Sequence, residues 1–83
     1  MMRRTDFDTA AATIQQETAG EWEAQGQEGL YGEDWIVCFS LFYKGQFIAC
    51  CRCRNKTPDF VYDTAVGIIR ACYLFDITER VAA

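Results

Sequence analysis

The residues from Asp34 to Lys56, DWIVCFSLFYKGQFIACCRCRNK, constrain this chain more than any other stretch. No other segment is dense enough in aromatic and β-branched residues to seed a core. Trp35, Ile36, Val37, Phe39, Leu41, Phe42 and Tyr43 precede Lys44-Gly45, and Phe47, Ile48, Ala49 and a run of cysteines follow it. The pattern predicts an antiparallel β-hairpin over 34–56, with Gly45 supplying the positive φ of a tight turn. With Lys44 and Gly45 as the two turn residues, Phe42 faces Phe47, Leu41 faces Ile48, Phe39 faces Cys50 and Cys38 faces Cys51. A longer turn slips that register and exchanges the faces.

In this register, alternation sorts the hairpin into two surfaces. One carries Ile36, Cys38, Ser40, Phe42, Phe47, Ala49, Cys51 and Cys53, small and apolar enough for a helix to lie against. The other carries Trp35, Val37, Phe39, Leu41 and Tyr43 with Ile48, Cys50, Arg52 and Arg54, and is large and amphipathic. A two-stranded ribbon is barely stable alone, so both surfaces need cover.

The flanking segments supply helices. A helix is expected over 5–19, with Thr5 as N-cap, Asp6 and Asp8 at the positive end of its dipole, and Phe7, Ala11, Ile14 and Thr18 on one face. Gly20 suits the position just past its end. The segment 20–33, with four glycines and four acids, is expected to be an acidic loop pinned by Trp22, Leu30 and Tyr31. After the hairpin, Thr57-Pro58-Asp59 sets an N-cap, a proline at the first helical position and an acid behind it. A helix over 57–75 follows, with Val61, Ala65, Ile68, Ile69, Cys72 and Phe75 as its apolar stripe and Asp59, Asp63 and Arg70 opposite. Gly67 in mid-helix costs about 1 kcal/mol relative to alanine, and close packing of helix on sheet is the expected reason for it. The fold class is α+β, one domain over 1–83: an N-terminal helix, an antiparallel hairpin, and a C-terminal helix packed on the hairpin. Residues 76–83 read as a frayed tail.

Eighty-three residues make a small core that oligomerisation or a partner would strengthen, while 51% apolar and 24% charged residues exclude a disordered chain. No apolar run approaches the ~18 residues of a membrane span, and Arg3-Arg4 lacks the apolar stretch an export signal needs. Five cysteines, an odd number gathered mostly in one strand, point to a reduced cytoplasmic setting.

Charge is the most informative pattern. Between Thr5 and Tyr43 stand eight acids and no base; between Lys44 and Lys56 stand four bases and no acid. One reading is a solvated surface that keeps a small protein soluble. The other is an acidic face that imitates nucleic-acid phosphates and docks on a basic groove of a protein partner. On either reading, a net charge of −4 opposes direct binding of nucleic acid.

The chain has no histidine, which removes the commonest general base and every Ser/His or Cys/His pair, and no phosphate-binding glycine loop. No enzyme activity and no cofactor are expected. The cysteines leave three readings open: Cys38, Cys51 and Cys53 on one hairpin surface, with Cys72 of the covering helix, are core packing, a thiolate zinc site without a C-x-x-C knuckle, or redox-active thiols.

The order strand, Lys44-Gly45 turn, strand, then Thr57-Pro58 opening an apolar helix resembles the small phage-encoded β-β-α proteins of the ABA-sandwich type, over Asp34 to Phe75, about half the chain. In size, acidity and lack of a catalytic set the chain is also similar in character to anti-CRISPR and other phage anti-defence proteins. That resemblance implies a stoichiometric inhibitor that covers the basic surface of a nucleic-acid-handling complex. Its contact residues are expected to be Glu21, Glu23, Glu28, Glu33 and Asp34 as the acids and Trp22, Tyr31 and Trp35 as aromatic anchors. The alternative is a structural subunit that homodimerises through the hairpin, by its edges or its Trp35/Phe39/Leu41/Tyr43 surface.

Overall fold

The structure, a computed structural model, describes residues 7–77. Five elements follow one another: α1 (Phe7–Glu17), β1 (Trp22–Tyr31), β2 (Asp34–Tyr43), β3 (Gln46–Arg54) and α2 (Pro58–Leu74). The strands form one antiparallel meander in the order β1-β2-β3, and this is an α+β fold. The expected N-cap at Thr5 and the tail over 78–83 lie outside the described residues. Among the described residues, no helix is long and apolar enough to cross a membrane.

The segment expected as an acidic loop is instead a ten-residue strand. Trp22 and Ala24 alternate with Glu23 and Gln25, the period-two pattern of a half-buried strand, and the four nearby glycines hid it. Gly32 takes φ 64 at the first position of the two-residue Gly32-Glu33 connection. Lys44 and Gly45, at φ 49 and 83, make the second turn with both residues positive, as a type I′ turn needs.

The predicted register holds only next to that turn. Tyr43 pairs with Gln46 and Phe42 with Phe47, but a bulge then places Leu41 opposite Ala49, Phe39 opposite Cys51 and Cys38 opposite Arg52. One extra residue on β3 turns every later side chain to the other face. The physical reason is charge. Without the bulge, Arg52 and Arg54 would share a face with Val37, Phe39 and Leu41; with it, Cys51 and Cys53 take that place and the guanidinium groups stay in water.

Both helices cover this larger face and not the small-residue face expected to receive α2. Phe7, Ala10 and Ile14 of α1 and Val61, Ala65, Ile69 and Cys72 of α2 pack on Trp22, Ala24, Val37, Phe39, Leu41 and Tyr43 of the sheet. This side offers the greater apolar area, so covering it removes more surface from water. Phe75, assigned to the α2 stripe, is exposed, and Gly67 faces away from the sheet with nothing within 4 Å of an added Cβ. Close packing on the sheet therefore does not account for Gly67.

Local chemistry fixes the helix ends. Thr57 Oγ1 accepts from the Phe60 N–H at 3.2 Å, as the Thr-Pro-Asp signal predicts. The end of α1 is a Schellman turn: Gly20 N–H bonds to the Gln15 carbonyl and Ala19 N–H to that of Gln16. Ala19, and not Gly20 alone, therefore takes the left-handed conformation, at φ 52. Between the helices, the Tyr62 hydroxyl donates to Glu17 Oε2 at 2.9 Å, and that bond raises the Tyr62 pKa above its ordinary value.

Two glycine exchanges test this backbone. A Cβ on Gly26 would collide with the Cys38 carbonyl and lie 2.7 Å from Phe39 Cα. Gly26→Ala is therefore expected to lower stability by roughly 1–3 kcal/mol in urea unfolding. Ala19→Gly relieves a left-handed alanine and should raise stability by about 1 kcal/mol. A neutral Gly26→Ala would show that β1 and β2 do not approach so closely.

Candidate functional site

The residues expected to bind a partner do not gather into one patch. Trp22 is completely buried: its ring lies 5.0 Å from that of Tyr43 and 6.4 Å from that of Tyr73, and its Nε1–H donates to Tyr73 Oη. It is a core residue and no anchor for a partner. Trp35 is half-buried against the core. Glu28 is half-buried, and its Oε2 accepts from the Phe7 N–H at 3.1 Å, placing a carboxylate at the positive end of α1. Asp34 Oδ1 accepts from Asn55 Nδ2, and its Oδ2 lies 3.7 Å from Arg54 Nε. With Asn55 Oδ1 accepting from the Trp35 N–H, these groups latch the start of β2 to the end of β3. Four of the eight expected contact residues thus have structural work inside the chain.

The other four are exposed. Glu21 stands at the bend before β1, Glu23 near its start, Tyr31 at its end and Glu33 in the turn beyond. At about 3.3 Å per residue the strand separates the two acidic ends by roughly 30 Å. β1 is an edge strand, so these groups rim the sheet on one side.

Beside that rim lies a surface the sequence reading missed. Both helices sit on one face; Ile36 is buried on the other, but no described helix or strand covers that face. Its cross-strand rows run Glu23-Phe42-Phe47, Gln25-Ser40-Cys50, Gln27-Cys38-Arg52 and Gly29-Ile36-Arg54. A shallow hollow of about 450 Å³ is walled by Gln25, Gln27, Cys38, Ser40, Cys50 and Arg52. A second, of about 380 Å³, adjoins it where Tyr31 and Ile36 replace the serine row. The Tyr31 ring lies over Gly29, where a Cβ would come within 3.6 Å of it. Phe42 and Phe47 meet edge-on at 6.0 Å at the opposite end. Along β1 the face carries Glu23 and the amides of Gln25 and Gln27, along β3 it carries the Cys50 thiol with Arg52 and Arg54, and the Cys38 thiol lies between them on β2. The signal for it was the polar half of the alternation, Glu23, Gln25 and Gln27.

The bulge also separates the cysteines. Cys38 and Cys50 are exposed on the open face, Cys53 and Cys72 are buried under the helices, and Cys51 is partly buried on the core side. The zinc arrangement required Cys38 on one surface with Cys51 and Cys53, and the sheet divides them. Among the described residues no three His, Cys, Asp or Glu side chains are placed to hold a metal ion. Burial raises the Cys53 thiol above its ordinary 9.0, helped by the neighbouring Cys51, and burial alone raises Cys72.

Two measurements follow from the thiols. In mass spectrometry after brief alkylation, Cys38 and Cys50 should be modified first, and Cys53 and Cys72 only in denaturant. Because the folded state holds the Cys53 and Cys72 protons above the unfolded value of 9.0, their contribution to stability is complete below that pH and declines as pH rises through the folded pKa values. Denaturation midpoints should therefore fall above about pH 9, and a Cys53→Ala, Cys72→Ala double variant should show a smaller fall. Equal slopes would rule out this cause.

Compared with protein-family models, curated proteins and solved structures, the chain matches none of them.

Proposed function

We propose that this chain is a small, non-catalytic protein-binding module that covers a basic surface of a nucleic-acid-handling partner, in the manner of a phage anti-defence inhibitor. The observation that carries this reading is the exposed rim of β1, with Glu21 and Glu23 at one end and Glu33 at the other beside Tyr31, which is 66% exposed. Opposite charge on a partner would steer association along the rim, and a large ring at its end would supply apolar contact area. Glu28 and Asp34 are engaged within the chain, and Glu23 accepts from Gln25 Nε2 at 2.7 Å while staying exposed. The Trp35/Phe39/Leu41/Tyr43 surface is covered by the chain's own helices, which leaves no large sheet face of that kind for a homodimer.

The test is capture from a nuclease-treated host lysate by the tagged protein, compared with the triple variant Glu21→Gln, Glu23→Gln, Glu33→Gln and with Tyr31→Ala. These positions are exposed, so each change should move stability by less than about 0.5 kcal/mol. The expected result is a nucleic-acid-handling complex recovered by the unaltered protein and lost with the triple variant. Recovery unaffected by both variants would defeat the proposal, as would capture that disappears once nucleic acid is digested.

A further inference from the structure

We propose that two copies of this chain associate through the outward face of α2, with the helices antiparallel and Gly67 opposite Gly67 at the two-fold axis. Phe60, Thr64, Gly67, Ala71 and Leu74 recur at spacings of four, three, four and three, which places them on one face of the helix. That face points away from the core stripe of Val61, Ala65, Ile69 and Cys72. Its ends are large and apolar: Leu74 is 76% exposed, and Phe60 is 45% exposed even with Lys56 Nζ lying 4.7 Å from its ring. Its middle is low, since Gly67 has no side chain and the Thr64 hydroxyl is already bonded to the Phe60 carbonyl.

The profile is symmetric about Gly67. Phe60 and Leu74 each lie seven residues from it, while Thr64 and Ala71 lie three and four residues away. Such a surface is complementary to itself under a two-fold rotation, as an isologous interface requires. Phe60 of one copy then meets Leu74 of the other, and the helix backbones approach closely at the glycines.

The charges obey the same symmetry. Asp63 and Arg70 are exposed on one flank of the stripe, four residues before Gly67 and three after it. In an antiparallel pair the same flanks of both helices adjoin, so Asp63 of each copy comes opposite Arg70 of the other. Two reciprocal ion pairs result, whereas in a parallel pair opposite flanks adjoin and neither ion pair forms. The arrangement also gives Gly67 a purpose, since at this exposed position it costs about 1 kcal/mol relative to alanine and makes room for nothing within the chain. After α2 the chain turns back toward the core at Ile77, away from this face. One helix face per copy places the dimer among small interfaces, below about 1,200 Å² in total, whose association depends on concentration.

Sedimentation equilibrium of the full chain over a wide concentration range tests this. The unaltered protein should pass from monomer to dimer. Gly67→Gln adds bulk at the axis where the monomer has open space, and it improves helix propensity; it should weaken the dimer by at least roughly tenfold while raising the monomer's melting temperature. Asp63→Arg alone should weaken association by roughly tenfold, and adding Arg70→Asp should restore it to within about threefold. The inference is overturned if the unaltered protein stays monomeric at millimolar concentration. It is equally overturned if a dimer forms but ignores both Gly67→Gln and the charge reversal, which would place the contact elsewhere.

Discussion

The fold depends on the burial of Trp22. Its ring is closed in by Tyr43 at the end of β2 and Tyr73 in the last turns of α2, and its backbone N–H donates to the Thr18 hydroxyl just past α1. One residue thus ties the first strand to the central strand and α2 through its ring and to the end of α1 through its backbone. A chain of this size buries a smaller share of its surface than a larger domain does, so a single fully buried indole carries an unusual share of its apolar contact. The first hairpin is held at this corner. The Lys44 N–H donates to the Glu21 carbonyl at 2.8 Å, extending the β1–β2 pairing past Trp22 toward the second turn.

The bulge in β3 decides what the two faces of the sheet become. It keeps Arg52 and Arg54 out from under the helices and brings Cys51 and Cys53 in beside Phe39 and Val37. With two helices on one face and no further segment among the described residues on the other, the sheet is left half covered. That half-covered state is compatible with water because Glu23, Gln25, Gln27, Ser40 and Arg52 point outward there, as antiparallel sheets allow.

The chain therefore presents two surfaces of different character. The open sheet face and its β1 rim are polar, charged and hollowed. The outward face of α2 is narrow and apolar at its ends. They lie on opposite sides of the core, so association of two copies through α2 would leave both β1 rims free for a partner. Of the carboxylates, Glu17, Glu23, Glu28 and Asp34 accept hydrogen bonds within the chain, while Glu21, Glu23 and Glu33 are exposed along the β1 rim.

Features controlled by a few adjacent residues are legible from the order of residues alone. The Lys44-Gly45 turn follows from positive φ, the start of α2 from Thr57 and Pro58, and most of the α2 core stripe, Val61, Ala65, Ile69 and Cys72 but not Phe75, from its helical period. Of the expected contact residues, Glu21, Glu23, Tyr31 and Glu33 are exposed. Only the tertiary structure decided that Trp22 is core, that Glu28 serves α1, that the cysteines part company, and which side of the hairpin the helices cover. Each of these depends on which strand lies alongside and on one extra residue in β3. Alternation shows that a strand has two faces, but it cannot say which is buried until the rest of the chain competes for the larger apolar area and excludes the arginines from it.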